Sequence, residues 1–445
     1  MFRRILIANR GEIALRVLRA CREMGIETVC VFSEEDRGAA YLELANQAIC
    51  IGGPAPAESY LKSDRVIAAA EVAQADAIHP GYGFLAENAA FAEKCRASNI
   101  EFIGPSAEAM RLLGDKASAR SLAGKARTSI IPGSDGVIED MEEARRVAHR
   151  IGFPLMIKAS AGGGGRGMRI VKDESELPAA VRQAQQEAQG AFKSGAVYLE
   201  KLIDRPRHVE VQIIGDAKGA VVHLGERDCT AQRRHQKLVE ESPSPAVDGR
   251  TRKELCAAAV KLARAAGYST VGTVEFLVDG KGKFYFIEVN TRIQVEHPVT
   301  EMTTGIDLIK AQILAAAGES LPFTQRSVRF QGHAVECRIN AEDPDHRFRP
   351  SAGRIERFRP PGGFGVRVDA YAHEGCRISP RYDSLIAKLI VHQPTRSEAI
   401  RTMQRCLAEF TIEPIKTTIP FLRNLLAHPD FAAGAIDTGF IERTF

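Results

Sequence analysis

One stretch of the chain, residues 272–298, limits what the whole can fold into, because it joins a β-hairpin to a dense run of polar side chains. Residues 273–278 and 283–290 have the composition and alternation of two strands. The segment between them, 279–282, reads Asp-Gly-Lys-Gly, and its glycines suit a tight connection. The stretch therefore predicts an antiparallel hairpin that leads directly into a polar loop.

The register of this hairpin would bring two carboxylates together. If Val278 pairs with Lys283, then Glu275 lies opposite Phe286, and Glu288 is two residues further along on the same face. Diagonal neighbours on one face of an antiparallel pair are about 7–8 Å apart. We therefore expect the two acidic side chains to be close enough to share cations.

The acidic pair and the amide of Asn290 are ligands that Mg²⁺ prefers, since this ion binds hard oxygen atoms and is often shared with a substrate phosphate. A buried pair of carboxylates without a cation would be costly, because like charges repel and both lose their hydration. The alternative is the solvated polar face of an ordinary hairpin, which is the usual explanation of an isolated Glu-x-Asn. The sequence favours a magnesium site because the polar run continues beyond Asn290.

Three polar residues continue that run in the loop after the hairpin: Arg292, Gln294 and Glu296. If the loop is extended, alternate side chains point to one side of it. A cation, an amide and a carboxylate that face one space can hold a small oxyanion and take up its proton. The loop therefore predicts an anion site next to the metal site.

A glycine-rich segment, residues 161–167, lies between predicted strands at 153–159 and 168–171. Consecutive glycines oppose folding because they lose so much conformational freedom, but their N–H groups can surround a phosphate closely. No Gly-Lys-Ser/Thr ends the segment, so it is not a Walker A loop. The segment predicts a flexible lid over a triphosphate. The alternative is a surface hairpin without a ligand.

A second polar run, residues 226–237, is predicted to lie between strands, of which the preceding two span 207–215 and 220–226. Its polar and basic members are Gln232, Arg233, Arg234, His235 and Lys237. A charge run is most often a solvated face. The phosphate loop and the acidic hairpin elsewhere in the chain favour a role in holding anions.

The N-terminal part alternates strands and helices as far as about residue 104, beginning with a strand at 4–8, a helix at 12–24 and a strand at 27–32. This pattern is typical of a parallel sheet. The first turn lacks the GxGxxG fingerprint, which argues against a nicotinamide or flavin cofactor. The sequence His-Pro-Gly-Tyr-Gly-Phe at 79–84 follows a strand, where open parallel sheets commonly place a site. A packed glycine-rich turn is the equal alternative there.

Composition excludes several classes of function. A chain of 445 residues is long enough for two to four domains, and a net charge of +4 argues against a general nucleic-acid binder. No apolar run has the length of a membrane span or of a secretory signal, which predicts a cytoplasmic protein. The nine cysteines are scattered and form no CxxC pair, so neither a disulfide framework nor a zinc site is expected.

Several long segments, taken together, resemble the ATP-grasp core of the biotin carboxylase family. They are IANRGEIALR, HPGYGFLAEN, GGGGRGMR, ERDCTAQRRHQK, IEVNTRIQVEHPVTE and GHAVECRINAEDP, and the resemblance covers essentially the whole chain. The sequence departs from the family pattern at 124–130, where Ala-Arg-Thr-Ser replaces the usual turn, and at Ala161, where a further glycine is common.

The resemblance implies a multidomain fold of the α/β and α+β classes. A Rossmann-like N-terminal (pre-ATP-grasp) domain is expected at 1–113. An ATP-grasp domain with a mobile lid at about 131–203 is expected at 114–330, and a C-terminal biotin carboxylase domain at 331–445.

The resemblance also implies roles for the residues that match the family motifs. Those expected to bind ATP are Lys116, Lys158, Gly163, Gly164, Gly165, Glu200, Lys201, Ile203, His208, Gln232, His235, Glu275 and Glu288. Those expected to bind bicarbonate or biotin are Tyr82, Lys237, Arg292, Gln294, Val295, Glu296 and Arg338. The metal ligands, for two Mg²⁺ or Mn²⁺ ions, are expected to be Glu275, Glu288 and Asn290.

In catalysis Glu296 would act as general base and Arg338 would stabilise the biotin enolate, while Arg292 and Lys237 hold bicarbonate. Tyr82, Glu87 and Arg16 would face the central cleft.

The implied reaction is the carboxylation of a ureido nitrogen of biotin by bicarbonate and ATP, through carboxyphosphate. No Ala-Met-Lys-Met-like tetrapeptide occurs, so we expect biotin on a separate biotin carboxyl carrier protein, with separate carboxyltransferase subunits. Acetyl-CoA carboxylase and fatty acid synthesis are favoured, with propionyl-CoA and pyruvate carboxylases as alternatives. A homodimer is expected through Arg19, Glu23, Phe364 and Arg367.

Two rival functions are less well supported. Another ATP-grasp ligase would share the lid and the Glu/Asn metal site, but not Arg-Ile-Gln-Val-Glu-His-Pro together with Arg338. A non-catalytic ATP-binding subunit would be expected to have lost some of the acidic and basic residues that are present here.

Overall fold

A computed structural model describes residues 1–160 and 168–445, and its N-terminal part is a parallel sheet with helices packed against it. Its elements are β1 (Arg4–Ile7), α1 (Gly11–Glu23), β2 (Glu27–Ser33), β3 (Gln47–Gly52), α2 (Ser63–Val72), β4 (Ala77–His79), α3 (Ala89–Ala97) and β5 (Glu101–Phe102). The strand order is β3-β2-β1-β4-β5, and all neighbours are parallel. The predicted Rossmann-like topology is thereby confirmed. The carboxyl ends of β1 and β4 lie side by side, which places Glu12 and Tyr82 at one edge of the sheet.

Two short helices, α4 (Ala107–Gly114) and α5 (Lys116–Lys125), follow in the segment that reads as helical. Asp115 lies between them and caps α5, because its Oδ1 accepts a hydrogen bond of 2.8 Å from the Ser118 N–H. The cap fixes Lys116 as the first residue of α5.

The predicted lid region forms a small unit with its own apolar core. Its elements are α6 (Met141–Ile151), β6 (Leu155–Ala159), β7 (Arg169–Val171), α7 (Leu177–Phe192) and β8 (Val197–Lys201), and the antiparallel sheet order is β7-β6-β8. The expected phosphate contacts Gly163, Gly164 and Gly165 lie outside the described residues.

The largest sheet has eight strands in the order β13-β12-β9-β10-β11-β14-β21-β19. Its first part comprises β9 (Arg207–Gly215), β10 (Val221–Arg233), β11 (Gln236–Ser242), α8 (Gly249–Ala265), β12 (Thr270–Val278), β13 (Phe284–Asn290), α9 (His297–Thr304) and α10 (Leu308–Ala316). Strand β11 pairs with β14, so the sheet runs without a break across residue 330, where two domains were expected to meet. The domain limits stay a prediction.

The C-terminal part completes this sheet and packs helices on it. Its elements are β14 (His333–Asn340), β15 (Glu342–Asp343), β16 (Arg349–Pro350), β17 (Gly353–Arg354), β18 (Arg357–Arg359), β19 (Val366–Ala370), β20 (Arg377–Ile378), β21 (Leu385–Gln393), α11 (Arg396–Glu409), β22 (Thr411–Glu413), α12 (Ile419–Ala427), α13 (Pro429–Ala432) and α14 (Phe440–Thr444). The apolar face of β14 and β21 and one side of α11 and α12 form a continuous core.

The predicted register of the β12–β13 hairpin is wrong. Val278 pairs with Phe284, not with Lys283, and Glu275 lies opposite Glu288, not opposite Phe286. At the turn, the difference in register is caused by Asp279, whose backbone N–H donates to the Lys283 carbonyl at 2.9 Å. Lys283 therefore belongs to the turn and does not pair with Val278. A β-bulge between Glu275 and Phe276 then shifts the pairing by one further residue.

Two other sequence expectations need correction. The polar run at 226–237 does not lie between strands: it forms the end of β10, a tight turn at Arg234 and His235, and the start of β11. The sequence also predicts a helix at 305–318, but the structure has the shorter α10 there, and the segment before it forms α9, which the sequence did not indicate. No helix in residues 1–160 and 168–445 is long and apolar enough to cross a membrane.

Candidate functional site

A cleft of about 1370 Å³ lies between the N-terminal sheet, the lid unit and the large sheet. Most of the residues singled out from the sequence line it. They are Tyr82, Glu87, Lys116, Lys158, Glu200, Lys201, Ile203, His208, Gln232, His235, Lys237, Glu275, Glu288, Asn290, Arg292, Gln294, Val295 and Arg338. The fold thus brings segments more than 200 residues apart into one cavity.

Lys237, at the start of β11, is the cation around which the acidic residues of the cleft gather. Its Nζ donates to Glu210 Oε2 at 2.6 Å, Glu296 Oε1 at 2.7 Å and Glu275 Oε1 at 3.1 Å. Burial alone would lower the pKa of this ammonium, but the carboxylates around it hold the pKa well above its ordinary value. Lys237 is therefore a permanent positive charge beside the predicted anion site.

Glu296 is fully buried just before α9 and touches two cations. Besides the contact with Lys237, its Oε2 accepts a hydrogen bond of 2.8 Å from Arg338. Burial alone would raise the pKa of its carboxyl, but Lys237, Arg338 and Arg227 hold the pKa well below its usual range. Glu296 is consequently ionised at neutral pH, and the cations that keep it ionised also make it a weak base.

Arg338, on β14, bridges two carboxylates. Its Nε donates to Glu240 Oε1 at 2.6 Å, and a terminal nitrogen donates to Glu296. Burial raises the pKa of the Glu240 carboxyl to about 7, against the opposing effect of Arg338. The Arg338 side chain is 14% exposed and lines the cleft, so it can still contact a ligand.

Arg292, like Arg338, lines the cleft. Its Nε donates to Glu87 Oε2 at 3.0 Å and one terminal nitrogen donates to Gln294 Oε1 at 2.8 Å. The amide nitrogen of Gln294 lies 3.5 Å from Glu275 Oε1. Arg292 and Gln294 therefore line the cleft side by side, as expected, whereas Glu296, the carboxylate expected with them, is fully buried and is not among the residues that line it.

Glu275 and Glu288 face each other across β12 and β13, and Asn290 follows on β13. Protein cations balance their charges: His208 Nε2 lies 2.9 Å from Glu275 Oε2, and Lys116 Nζ lies 3.2 Å from Glu288 Oε2. Burial alone would raise the pKa of Glu275, but Lys237 and His208 hold it far below its usual range. These oxygen donors fit Mg²⁺, because a divalent ion could replace the contacts with ammonium and imidazole.

The expected nucleotide contacts lie where the lid meets the large sheet. Lys158 Nζ lies 2.6 Å from Glu200 Oε2, and the ammonium of Lys201 donates to the carbonyls of Gly152 and Phe153 at 3.2 and 2.8 Å. The apolar residues Ile131, Met156, Ile203, Ile287 and Leu277 also line the cleft. Apolar walls beside Lys158 suit a flat base joined to a phosphate chain.

One residue expected in the cleft lies elsewhere, and another lines the cleft but is hydrogen-bonded within the protein. The Tyr82 hydroxyl lines the cleft but donates its hydrogen bond to Glu12. Arg16 does not line the cleft: it pairs with Glu301 at 2.9 Å and with Asp307 at 2.7 Å.

Sequence reasoning missed several buried charges that support the site. Arg227 donates to Glu210 Oε1 and to Gln212 Oε1, both at 2.6 Å, and Arg120 donates to Glu200 at 2.7 Å. A signal was available on β9, where Glu210 and Gln212 occupy every second position between apolar residues. Such a pattern inside a buried sheet indicates a polar face that points into a site.

Three domain-family profiles match consecutive parts of the chain. "Biotin carboxylase, N-terminal domain" matches residues 1–110, "Carbamoyl-phosphate synthase L chain, ATP binding domain" matches 115–324, and "Biotin carboxylase C-terminal domain" matches 336–443. Together these profiles cover nearly the whole chain.

Individual proteins are similar over their full length. A biotin carboxylase of Nostoc sp. is 55% identical over 441 residues, which are 99% of each chain. A biotin carboxylase–β-γ-ATP complex from Campylobacter jejuni has a TM-score of 0.97 at 50% identity, covering 100% of this chain and 99% of that one. The biotin carboxylase domain dimer of the Hydrogenobacter thermophilus 2-oxoglutarate carboxylase, in complex with MgADP, ADP and bicarbonate, has a TM-score of 0.96 at 50% identity, covering 100% and 98%.

Proposed function

The chain belongs to the biotin carboxylase family of ATP-dependent ligases, and we propose that its cleft carboxylates a ureido nitrogen of biotin, with MgATP and bicarbonate as the other substrates. One observation carries the assignment of roles. The fully buried carboxylate of Glu296 lies between Lys237 at 2.7 Å and Arg338 at 2.8 Å, beside the polar wall formed by Arg292 and Gln294.

Bicarbonate is a poor electrophile and must be activated. In our proposal Arg292, Gln294, Lys237 and the Val295 backbone hold the anion, while one of its oxygens attacks the γ-phosphorus of ATP. The bond from that phosphorus to the β,γ-bridging oxygen breaks, and carboxyphosphate and ADP form. Glu296 takes the bicarbonate proton. The arriving anion raises the proton affinity of Glu296, because it adds a negative charge beside an already ionised carboxylate.

The triphosphate needs charge neutralisation during this transfer. Lys116, Lys158 and His235 line the cleft, and in our proposal they approach phosphate oxygens. Bound Mg²⁺ would supply further neutralisation of the phosphates, and Glu275, Glu288 and Asn290 are the residues that would hold it. The similar Hydrogenobacter domain, whose complex contains MgADP and bicarbonate, supports a magnesium-bound nucleotide in this cleft.

Biotin presents a nitrogen that is barely acidic. In our proposal carboxyphosphate breaks at its C–O bond to CO₂ and phosphate, and the phosphate takes the proton of the ureido nitrogen. The resulting enolate must be stabilised by a cation, and the partly exposed side chain of Arg338 supplies one. The nitrogen then attacks CO₂ and gives carboxybiotin.

We further propose that biotin arrives on a biotin carboxyl carrier protein and that carboxyltransferase subunits use the product, as in acetyl-CoA carboxylase. The 50% identity to a 2-oxoglutarate carboxylase domain favours a second candidate, a carboxylase of keto acids. A cytoplasmic location and a homodimer belong to the same proposal, and the dimer formed by the similar Hydrogenobacter domain supports the latter.

The test is ADP release by the purified protein with Mg²⁺ and ATP, with and without bicarbonate and free biotin, while labelled bicarbonate is followed into biotin. We expect ADP release to require bicarbonate, to rise with biotin, and to be accompanied by labelled carboxybiotin. Turnover that ignores bicarbonate but responds to another small anion or an amine would refute the substrate assignment. ATP binding without turnover, even with a biotinyl carrier protein present, would refute the catalytic role.

A further inference from the structure

Lys388 is a fully buried cation that the proposed chemistry does not use. It lies on β21, directly opposite Arg338 on β14, with 0% of its side chain exposed. Its Nζ donates to the Val295 carbonyl at 2.9 Å and lies 3.1 Å from Glu12 Oε2 and 4.0 Å from Asp369 Oδ2. One ammonium group therefore joins the N-terminal sheet, the C-terminal part and the loop that carries the anion-binding residues.

Val295 has an unusual position in that loop. Its carbonyl is bonded to the buried ammonium, whereas its N–H makes no hydrogen bond to any residue in the described parts of the chain, and the residue lines the cleft. The preceding carbonyl, that of Gln294, lies 2.8 Å from the His297 ring nitrogen Nδ1. Two successive carbonyls of the loop are thus held by buried side chains, and the Val295 N–H is left available to a ligand in the cleft.

The charge state of Lys388 fits this role. Burial alone would lower the pKa of the ammonium, but the carboxylates of Glu12, Glu336 and Asp369 raise it above its ordinary value. A charged donor makes a stronger hydrogen bond to a carbonyl than a neutral one. A buried lysine is also expensive to keep unless its contacts are needed.

We propose that Lys388 is a positioning residue for bicarbonate: it holds the Val295 carbonyl so that Val295 stays at the wall of the cleft and the neighbouring Glu296 carboxylate stays between Lys237 and Arg338. This inference rests on the proposed function. The proposal predicts that loss of Lys388 specifically raises the KM for bicarbonate. Without Lys388, the loop would rearrange so that the Val295 carbonyl finds another hydrogen-bond donor. The nucleotide contacts lie on other elements and should be little affected.

The first test compares Lys388→Met with Arg396→Met. Arg396, whose side chain is 17% exposed, likewise pairs with a buried carboxylate, that of Glu241 at 2.6 Å, but it lies on α11, outside the loop. In Lys388→Met we expect the KM for bicarbonate to rise about tenfold, as for one lost buried hydrogen bond to a charged group, with the dissociation constant for ATP within about twofold of the parent. Arg396→Met should leave both constants unchanged. Equal effects of the two variants on bicarbonate would overturn the proposal.

A second variant separates positioning from folding. Lys388→Met leaves the Glu12 carboxylate buried without its cation, which by itself destabilises the protein, whereas Glu12→Gln/Lys388→Met removes both charges. We expect the double variant to regain thermal stability yet to keep the raised KM for bicarbonate. Recovery of both stability and bicarbonate KM would show that Lys388 serves only as the partner of Glu12.

A third readout does not depend on turnover. Amide hydrogen exchange of residues 291–299, measured without any substrate, should be faster in the double variant than in the parent and in Arg396→Met. If exchange is unchanged, the loop does not depend on Lys388. This result would count against the inference whether or not the protein carboxylates biotin, so the two proposals can fail separately.

Discussion

Glu275 and Glu288 lie directly opposite each other across β12 and β13, and the β-bulge beside Glu275 is what puts them there. Directly opposite residues of an antiparallel pair have Cβ atoms about 4.5–5.5 Å apart, closer than the diagonal placement expected from the sequence. Two carboxylates at this distance repel each other unless cations lie between them. In this structure Lys116 and Lys237 each approach one of them.

The metal site can be tested through Glu288→Gln. The substitution keeps the shape of the side chain and removes one negative charge, so we expect the free Mg²⁺ needed for half-maximal ATP cleavage to rise about tenfold. Steady-state ADP release at varied Mg²⁺ measures this. Glu254→Gln, on the exposed side of α8, is the matched control. An unchanged Mg²⁺ requirement would remove Glu288 from the ligand set.

The general base can be tested through Glu296→Gln. Loss of a positioned base costs about 100-fold or more in rate, so bicarbonate-dependent ADP release should fall by at least that factor. The affinity for ATP, measured by calorimetry, should stay the same, since Glu296 lies outside the predicted nucleotide contacts. Retention of a tenth of the parent rate would show that another group takes the proton.

Arg338 should affect the two half-steps unequally. In Arg338→Met/Glu240→Gln, where the paired carboxylate is neutralised as well, we expect carboxylation of free biotin to fall at least about tenfold further than bicarbonate-dependent ATP cleavage. Neutralising Glu240 avoids an unpaired buried charge that would obscure the effect. Label in biotin and ADP release, followed in one reaction, give the ratio. Equal losses would argue against stabilisation of the enolate by Arg338.

His79 should make the protein less stable in acid. Its Nδ1 accepts a hydrogen bond of 3.0 Å from the Gly81 N–H, and burial lowers the pKa of the imidazole from 6.5 to about 3. Below pH 6.5 the imidazole is therefore protonated in the unfolded chain but stays neutral in the folded protein. The free energy of unfolding consequently falls as the pH falls.

At pH 5.5 this penalty is about 1.4 kcal/mol, and His79→Asn should remove it while the amide oxygen keeps an acceptor for Gly81. Urea unfolding at pH 7.5 and 5.5 measures the change in stability for parent and variant. His149→Asn, an exposed histidine on α6, should keep the parental dependence. A parental slope in His79→Asn would show that the imidazole is not the group concerned.

The expected dimer can be tested at Phe364, whose side chain is 90% exposed. An aromatic side chain so exposed suits a contact with a second copy, so Phe364→Glu should shift sedimentation at micromolar concentration from dimer to monomer. Val72→Glu, 77% exposed on α2, should not. Arg367 is a poorer probe, because Glu301 and Asp369 already bind it within the chain at 2.7 Å. A monomeric parent protein would refute the dimer.

Much of the fold could be predicted because the local signals agree with one another. The parallel order of the N-terminal strands follows from alternating strands and helices, and α5 begins at Lys116 because Asp115 is a strong cap. The acidic hairpin and the polar loop at Arg292, Gln294 and Glu296 were also visible, since residue type and spacing alone identify them.

The rest depends on contacts between distant segments. The charge pattern around residue 275 predicts an acidic hairpin, but its register was decided by the Asp279 turn and the bulge, which move a side chain by one position without any change in composition. Likewise Lys388 reads as a polar interruption of an apolar strand. Its burial against Val295 and Glu12 arises only when β21, α1 and the loop meet, because sequence determines which groups need partners and tertiary structure determines which partners they find.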